Sequence, residues 1–108
     1  MKGQYLGEFE EIVLLTVALL YDEAYGVAVR DEIERRTDRS VSLGAVHATL
    51  VRLTEKGLLH SRLGEATAKR GGKRKRHFQV TRAGQAALED TRNIRQRLWQ
   101  DLPGAAFE

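Results

Sequence analysis

Residues 40–59, SVSLGAVHATLVRLTEKGLL, change their periodicity at a glycine, and the change fixes the order of structural elements around it. Up to Lys56 the apolar positions Leu43, Val46, Leu50 and Leu53 recur at steps of three, four and three, which is one face of an α-helix. Ser42 stands where an N-cap belongs, its hydroxyl placed to accept an otherwise unpaired backbone N–H. Lys56 in the last turn and Gly57 just past it suit a helix C-terminus. Beyond Gly57 the period falls towards two. Leu59, Ser61 and Leu63 alternate with His60, Arg62 and Gly64; in a second such piece Phe78 and Val80 share a face, and His77 and Gln79 take the other. Between them lies EATAKRGGKRK, residues 65–75. Two strands around a glycine-rich basic loop predict a β-hairpin with a long tip.

On the helix, Gly44, Ala45, Ala48 and Arg52 point away from the apolar stripe. Such a face is small and smooth, with one cation, and can enter a narrow space such as a DNA major groove. An ordinary amphipathic helix with a small outer face fits the same residues, so the neighbouring segments must decide.

Upstream, a helix is expected over residues 8–20. Phe9, Val13, Thr16, Val17 and Leu20 form one stripe, and Ile12, Leu15 and Leu19 a second. A helix apolar on nearly every side is either the core helix of a monomer or is shared with a second subunit. DEAYG, residues 22–26, reads as a tight turn. A second helix follows over residues 27–37, with Val29 and Ile33 inward and Arg35 and Arg36 in its last turn. Helix, short turn and a helix with a small outer face is the order of a helix-turn-helix, and a hairpin directly after it is a wing. Thr81 caps a last helix over residues 82–100, on which Ala87, Thr91, Ile94 and Leu98 keep heptad-like spacing and Trp99 widens the stripe. That amphipathic extension reads as a dimer seam, with packing back on its own domain as the alternative. Residues 1–7 and 103–108 read as loose ends.

Charge concentrates in the wing. Six of the 18 basic residues fall between Lys69 and Arg76, and without them the 15 acidic residues would leave the chain at −3. A slightly acidic body with one basic patch points to a polyanionic partner. Gly71 and Gly72 allow close backbone approach, while Lys69, Arg70, Lys73, Arg74 and Lys75 can pair with phosphates. The same run could be a solvated loop or a nuclear-localisation signal. It is not a nucleotide-binding P-loop, because Thr67 replaces the required glycine and Arg74 the Ser or Thr after the lysine.

Cysteine is absent, which removes disulfides and thiolate metal sites and fits a cytoplasmic protein. The apolar run over residues 12–21 is about half the length of a membrane span. It follows Glu8, Glu10 and Glu11, where a secretory signal would carry positive charge, so it is read as core. His47, His60 and His77 are scattered, no serine sits in a nucleophile setting, and acid pairs such as Glu89 and Asp90 fall on exposed helical faces. No catalytic residue, metal site or cofactor is expected, and the chain is read as a non-enzyme.

In this order of elements the chain resembles the PadR family of bacterial transcriptional regulators. The resemblance rests on LGEFEEIVLLTVALL, AYGVAVRDEIERRT, the 40–59 segment and GGKRKRHFQVTRAGQAAL, and it covers nearly all of the sequence. It is to the short branch, in which one C-terminal helix completes the dimer. The resemblance implies a mostly α fold with a small β-hairpin: a winged helix-turn-helix over residues 1–80 and a dimerisation helix and tail over residues 81–108. It implies a homodimer that binds a palindromic operator on double-stranded DNA, usually as a repressor. Ser42, Gly44, Ala45, His47, Ala48 and Arg52 would then face the groove and its backbone. Lys69, Arg70, Lys73, Arg74 and Lys75 would serve as wing contacts, and Ala87, Thr91, Ile94, Leu98 and Trp99 would join the subunits. The family commonly carries tyrosine where this chain has His47, whose imidazole could reach a phosphate in a pH-dependent way or have no role. A small-molecule effector, with Trp99 as one wall of its site, is plausible for the family, although the sequence shows no pocket. The contrasting reading is a winged-helix adaptor that docks an acidic protein segment.

Overall fold

The computed structural model describes residues 5–64 and 75–108. The helix α1 spans Glu8–Leu20 and runs through a short 3₁₀ turn, Tyr21–Glu23, into α2, Gly26–Thr37. The third helix, α3, covers Leu43–Glu55; strands β1, Leu59–Leu63, and β2, Arg76–Val80, follow, and α4 closes the chain over Arg82–Gln100. This is the winged helix-turn-helix with an added C-terminal helix that the order of periodicities implies. The wing tip, with Lys69, Arg70, Lys73 and Arg74, lies outside the described residues.

Each boundary has a local cause. Ser42 Oγ accepts the Ala45 N–H at 3.0 Å and starts α3. That helix ends at Gly57, whose φ of +79° is the left-handed turn open to glycine at little cost. The α2–α3 turn is held by Glu34, whose carboxylate accepts the Val41 N–H at 2.9 Å. Thr81 fastens three elements at once. Its hydroxyl accepts the Gly84 N–H at 3.0 Å, donates to the Gly57 carbonyl at 2.7 Å, and its own N–H reaches the Leu58 carbonyl.

Val13, Leu14 and Val17 of α1, Val29 and Ile33 of α2, and Val46, Leu50 and Leu53 of α3 form the core, closed by Leu58, Leu59 and Phe78 of the hairpin and Ala87 of α4. The strands pair antiparallel, with Leu59 opposite Val80 and Leu63 opposite Arg76. A third piece joins them, which sequence periodicity does not reveal. The Phe78 N–H donates to the Ala24 carbonyl at 3.0 Å, and Tyr25 bridges to His77. Residues 22–26, expected to be only a turn, thus cover the second side of β2. His77, expected on its outer face with Gln79, is consequently buried.

The second stripe of α1 stays open, with Leu15 and Leu19 exposed, and α4 buries only Gly84 and Ala87. Gly84 sits so close to the hairpin that a Cβ there would lie 2.3 Å from the Leu58 carbonyl oxygen. Past that contact α4 runs beside α1, where Arg95 pairs with Glu11 at 3.0 Å, and the protein measures 60 × 33 × 20 Å.

Candidate nucleic-acid interface

The inner face of α3 is set by Val46, Thr49, Leu50 and Leu53, all buried. Gly44, Ala45, His47, Ala48 and Val51 are exposed. Ser42 is exposed as well, with its hydroxyl used in the cap. The small outer face inferred from the sequence is therefore real, but one residue of the inner stripe and one of the outer face are placed differently. Leu43, expected in the inner stripe, lies 40% exposed at the start of the helix. Arg52, expected to face bases, turns instead towards α1. Its Nε donates to Glu10 Oε2 at 3.0 Å, and its guanidinium also reaches Thr49 Oγ1 at 3.3 Å.

Glu10 explains that turn. Its carboxylate accepts the Gly7 N–H at 3.0 Å and Lys56 Nζ at 2.9 Å as well as Arg52. Burial raises its pKa, but the Gly7 N–H, Lys56 and Arg52 outweigh burial and hold it at about 2, against an ordinary 4.5. A nearly buried carboxylate with two cations within hydrogen-bond reach will not release either cheaply. Arg52 thus ties α3 to the first turn of α1.

On its other flank α3 borders a cleft of about 450 Å³ between the start of α2 and the base of the wing. Tyr25, Val27, Leu43, Phe78 and the backbones of Gly26 and Gly44 wall it, and His47, Lys75 and Arg76 supply its cationic or titratable groups. Lys75 Nζ stands 4.8 Å from the centre of the Tyr25 ring, a cation–π placement, and Tyr25 meets His77 edge-on at 5.3 Å. Arg76 is fixed at the strand by a 3.0 Å bond to Ser61 Oγ. The Nε2 of His77 is buried without a partner among the described residues. Lys75 is thus the one predicted wing contact whose place is described, and it stands beside the α3 N-terminus, on the His47 side.

The residues assigned to a dimer seam divide. Ala87 belongs to the protomer's own core, because Gly84 draws that turn of α4 against the hairpin. Thr91 is half-buried and bonds back to the Ala87 carbonyl. Ile94, Leu98 and Trp99 are 44%, 67% and 67% exposed. Of these, Trp99 borders a groove of about 370 Å³ between α1 and α4, walled in part by Leu15 and Leu88, in which Arg95 and Glu11 pair at 3.0 Å. The tail, expected to be loose, turns back so that Phe107 lies 6.1 Å from Trp99. Among the described residues, no cluster of His, Asp or Glu is arranged for a metal, and no helix is long and apolar enough to cross a membrane.

The sequence matches the transcriptional regulator PadR-like family over residues 14–90, well over half of the chain. No curated protein matches it. Among solved structures, a PadR-like transcription factor from Bacteroides fragilis superimposes with a TM-score of 0.73 at 20% identity, over 85% of this chain and 84% of its own. F93 from STIV, a winged-helix DNA-binding protein, gives 0.66 at 20% identity over 88% of this chain and 95% of its own. PadR of Bacillus subtilis, solved in complex with operator DNA, gives 0.62 at 20% identity, over 78% of this chain and 46% of that one. At these identities the likeness is one of fold.

Proposed function

The chain belongs to the PadR-like family of transcriptional regulators, and from that membership we propose that it binds a palindromic operator on double-stranded DNA as a homodimer and acts there as a repressor. The observation that carries the reading is the exposed outer face of α3. Gly44, His47 and Ala48 are exposed among the described residues, and the cationic base of the wing stands alongside. A helix of this shape fits the major groove, and the wing lysines and arginines suit the flanking phosphates. Residues 1–80 read the DNA in this proposal, and residues 81–108 join two copies. Ile94, Leu98 and Trp99 support that division, because exposed apolar side chains on a helix gain from a partner helix. Two-fold symmetry then puts the half-sites about one helical turn apart, or a multiple of it.

The test is binding of the full chain to duplexes from the region upstream of its own gene, measured across salt concentration. If the dimer neutralises about six to ten phosphates, affinity falls roughly 10³–10⁵-fold between 50 and 200 mM salt. Replacing Lys73 and Arg74 by Ala weakens binding to every sequence and flattens that dependence. A flat salt response in the unaltered protein overturns the mechanism. Binding to an acidic peptide with none to DNA would favour the adaptor reading instead.

A further inference from the structure

Arg52, the donor best suited by sequence to pair with guanine, is engaged by Glu10 on the side of α3 turned towards α1. What the structure presents beside the wing instead is apolar. Leu43, the first residue of α3, and Val27, near the start of α2, are 40% and 48% exposed and line the same cleft. The two helix starts lie close together, with Leu43 Cδ1 only 3.9 Å from where a Cβ on Gly26 would sit. Two branched side chains left in water at adjacent helix N-termini, beneath Lys75 and Arg76, form an apolar floor with a cationic rim. The one apolar group that a base edge presents in the major groove is the C5-methyl of thymine.

Resting on the DNA-binding reading above, we infer that Leu43 and Val27 determine part of the sequence preference by packing against thymine methyl groups. Lys75 and Arg76 hold the phosphates of the same strand. The glycines at 26 and 44 leave room for close approach, since neither carries a side chain into the cleft. The preference of each half-site therefore depends on thymines at fixed positions more than on a guanine gripped by arginine.

Duplexes are first selected by the full-length protein from a random pool, and each thymine of the preferred site is then replaced by deoxyuridine, which removes only the methyl. One or two positions per half-site should each lose about fourfold in affinity, the effect of leaving one methyl unburied. In the variants Leu43→Ala and Val27→Ala, whose thermal unfolding is measured in parallel, the same replacements should cost nothing further at the thymine each residue covers. If no deoxyuridine position weakens the unaltered protein, the inference falls while DNA binding stands. It falls equally if both variants remain as sensitive to the lost methyl as the parent. If selection yields no preferred duplex, the DNA-binding reading itself is overturned.

Discussion

Replacing Glu10 with Gln probes the tie between α1 and the groove-facing helix, and its effect can be worked from the geometry. The carboxylate's pKa of about 2, against 4.5 for an ordinary glutamate, corresponds at 1.36 kcal/mol per pH unit to roughly 3 kcal/mol of stability. Arg52 is half-exposed and its pairing is screened by water and salt, so about 2 kcal/mol is the working expectation. Because the folded-state value is depressed, this stability is fully present above pH 4.5 and is lost as pH falls towards 2. The glutamine keeps an acceptor for the Gly7 N–H but loses the charge. Urea unfolding of both proteins at one fixed protein concentration should show a gap of about 2 kcal/mol near pH 7, closing as the pH approaches 2. Near neutral pH the gap corresponds to a midpoint lowered by about 10 °C. Glu32 is also held at about 2, by Arg35 and then Arg36, but it is present in both proteins and cancels in the difference. A gap below about 0.5 kcal/mol at pH 7, the ordinary range for an exposed ion pair, would refute the reasoning. So would one that does not change between pH 6 and 3.

Three further outcomes follow from the packing. Arg52→Ala should destabilise the fold in the same direction as Glu10→Gln while leaving the base preference of selected duplexes unchanged; altered preference at a defined base pair would return Arg52 to the groove. Gly84→Ala should cost about 2 kcal/mol or more despite alanine's better helix propensity, because the new Cβ would meet the Leu58 carbonyl at 2.3 Å and Val80 Cγ1 at 2.8 Å. Chemical denaturation decides it, and a stabilised variant would show that the hairpin yields. Changing Leu98 and Trp99 together to Glu should give a folded monomer by sedimentation, with helicity retained and operator affinity lowered at least tenfold if half-sites bind as a linked pair. A variant that remains dimeric would remove α4 from the seam.

The sequence by itself determined the elements. Helical spacing in residues 43–53, alternation in residues 59–63 and 76–80, and the caps at Ser42, Gly57 and Thr81 are local signals, each carried by residues within a turn or two of one another. They placed α1, α3, both strands and α4, and α2 to within one residue. The same local patterns in series gave the family resemblance. Tertiary structure decided where side chains point when their partners are distant in the chain. Arg52 and Glu10 are 42 residues apart, and only the packing of α1 across α3 brings a buried carboxylate to the arginine and takes it off the face its helical position suggested. His77 alternates outward by strand period, yet Tyr25 closes over it because the segment after α1 pairs with β2. Ala87 keeps heptad spacing with Leu98, but Gly84 holds its turn of α4 against the hairpin and buries Ala87, while Ile94 and Leu98 further along stay exposed. Periodicity reports which side of an element is apolar; which partner covers that side depends on contacts between segments far apart, and these the chain acquires only on folding.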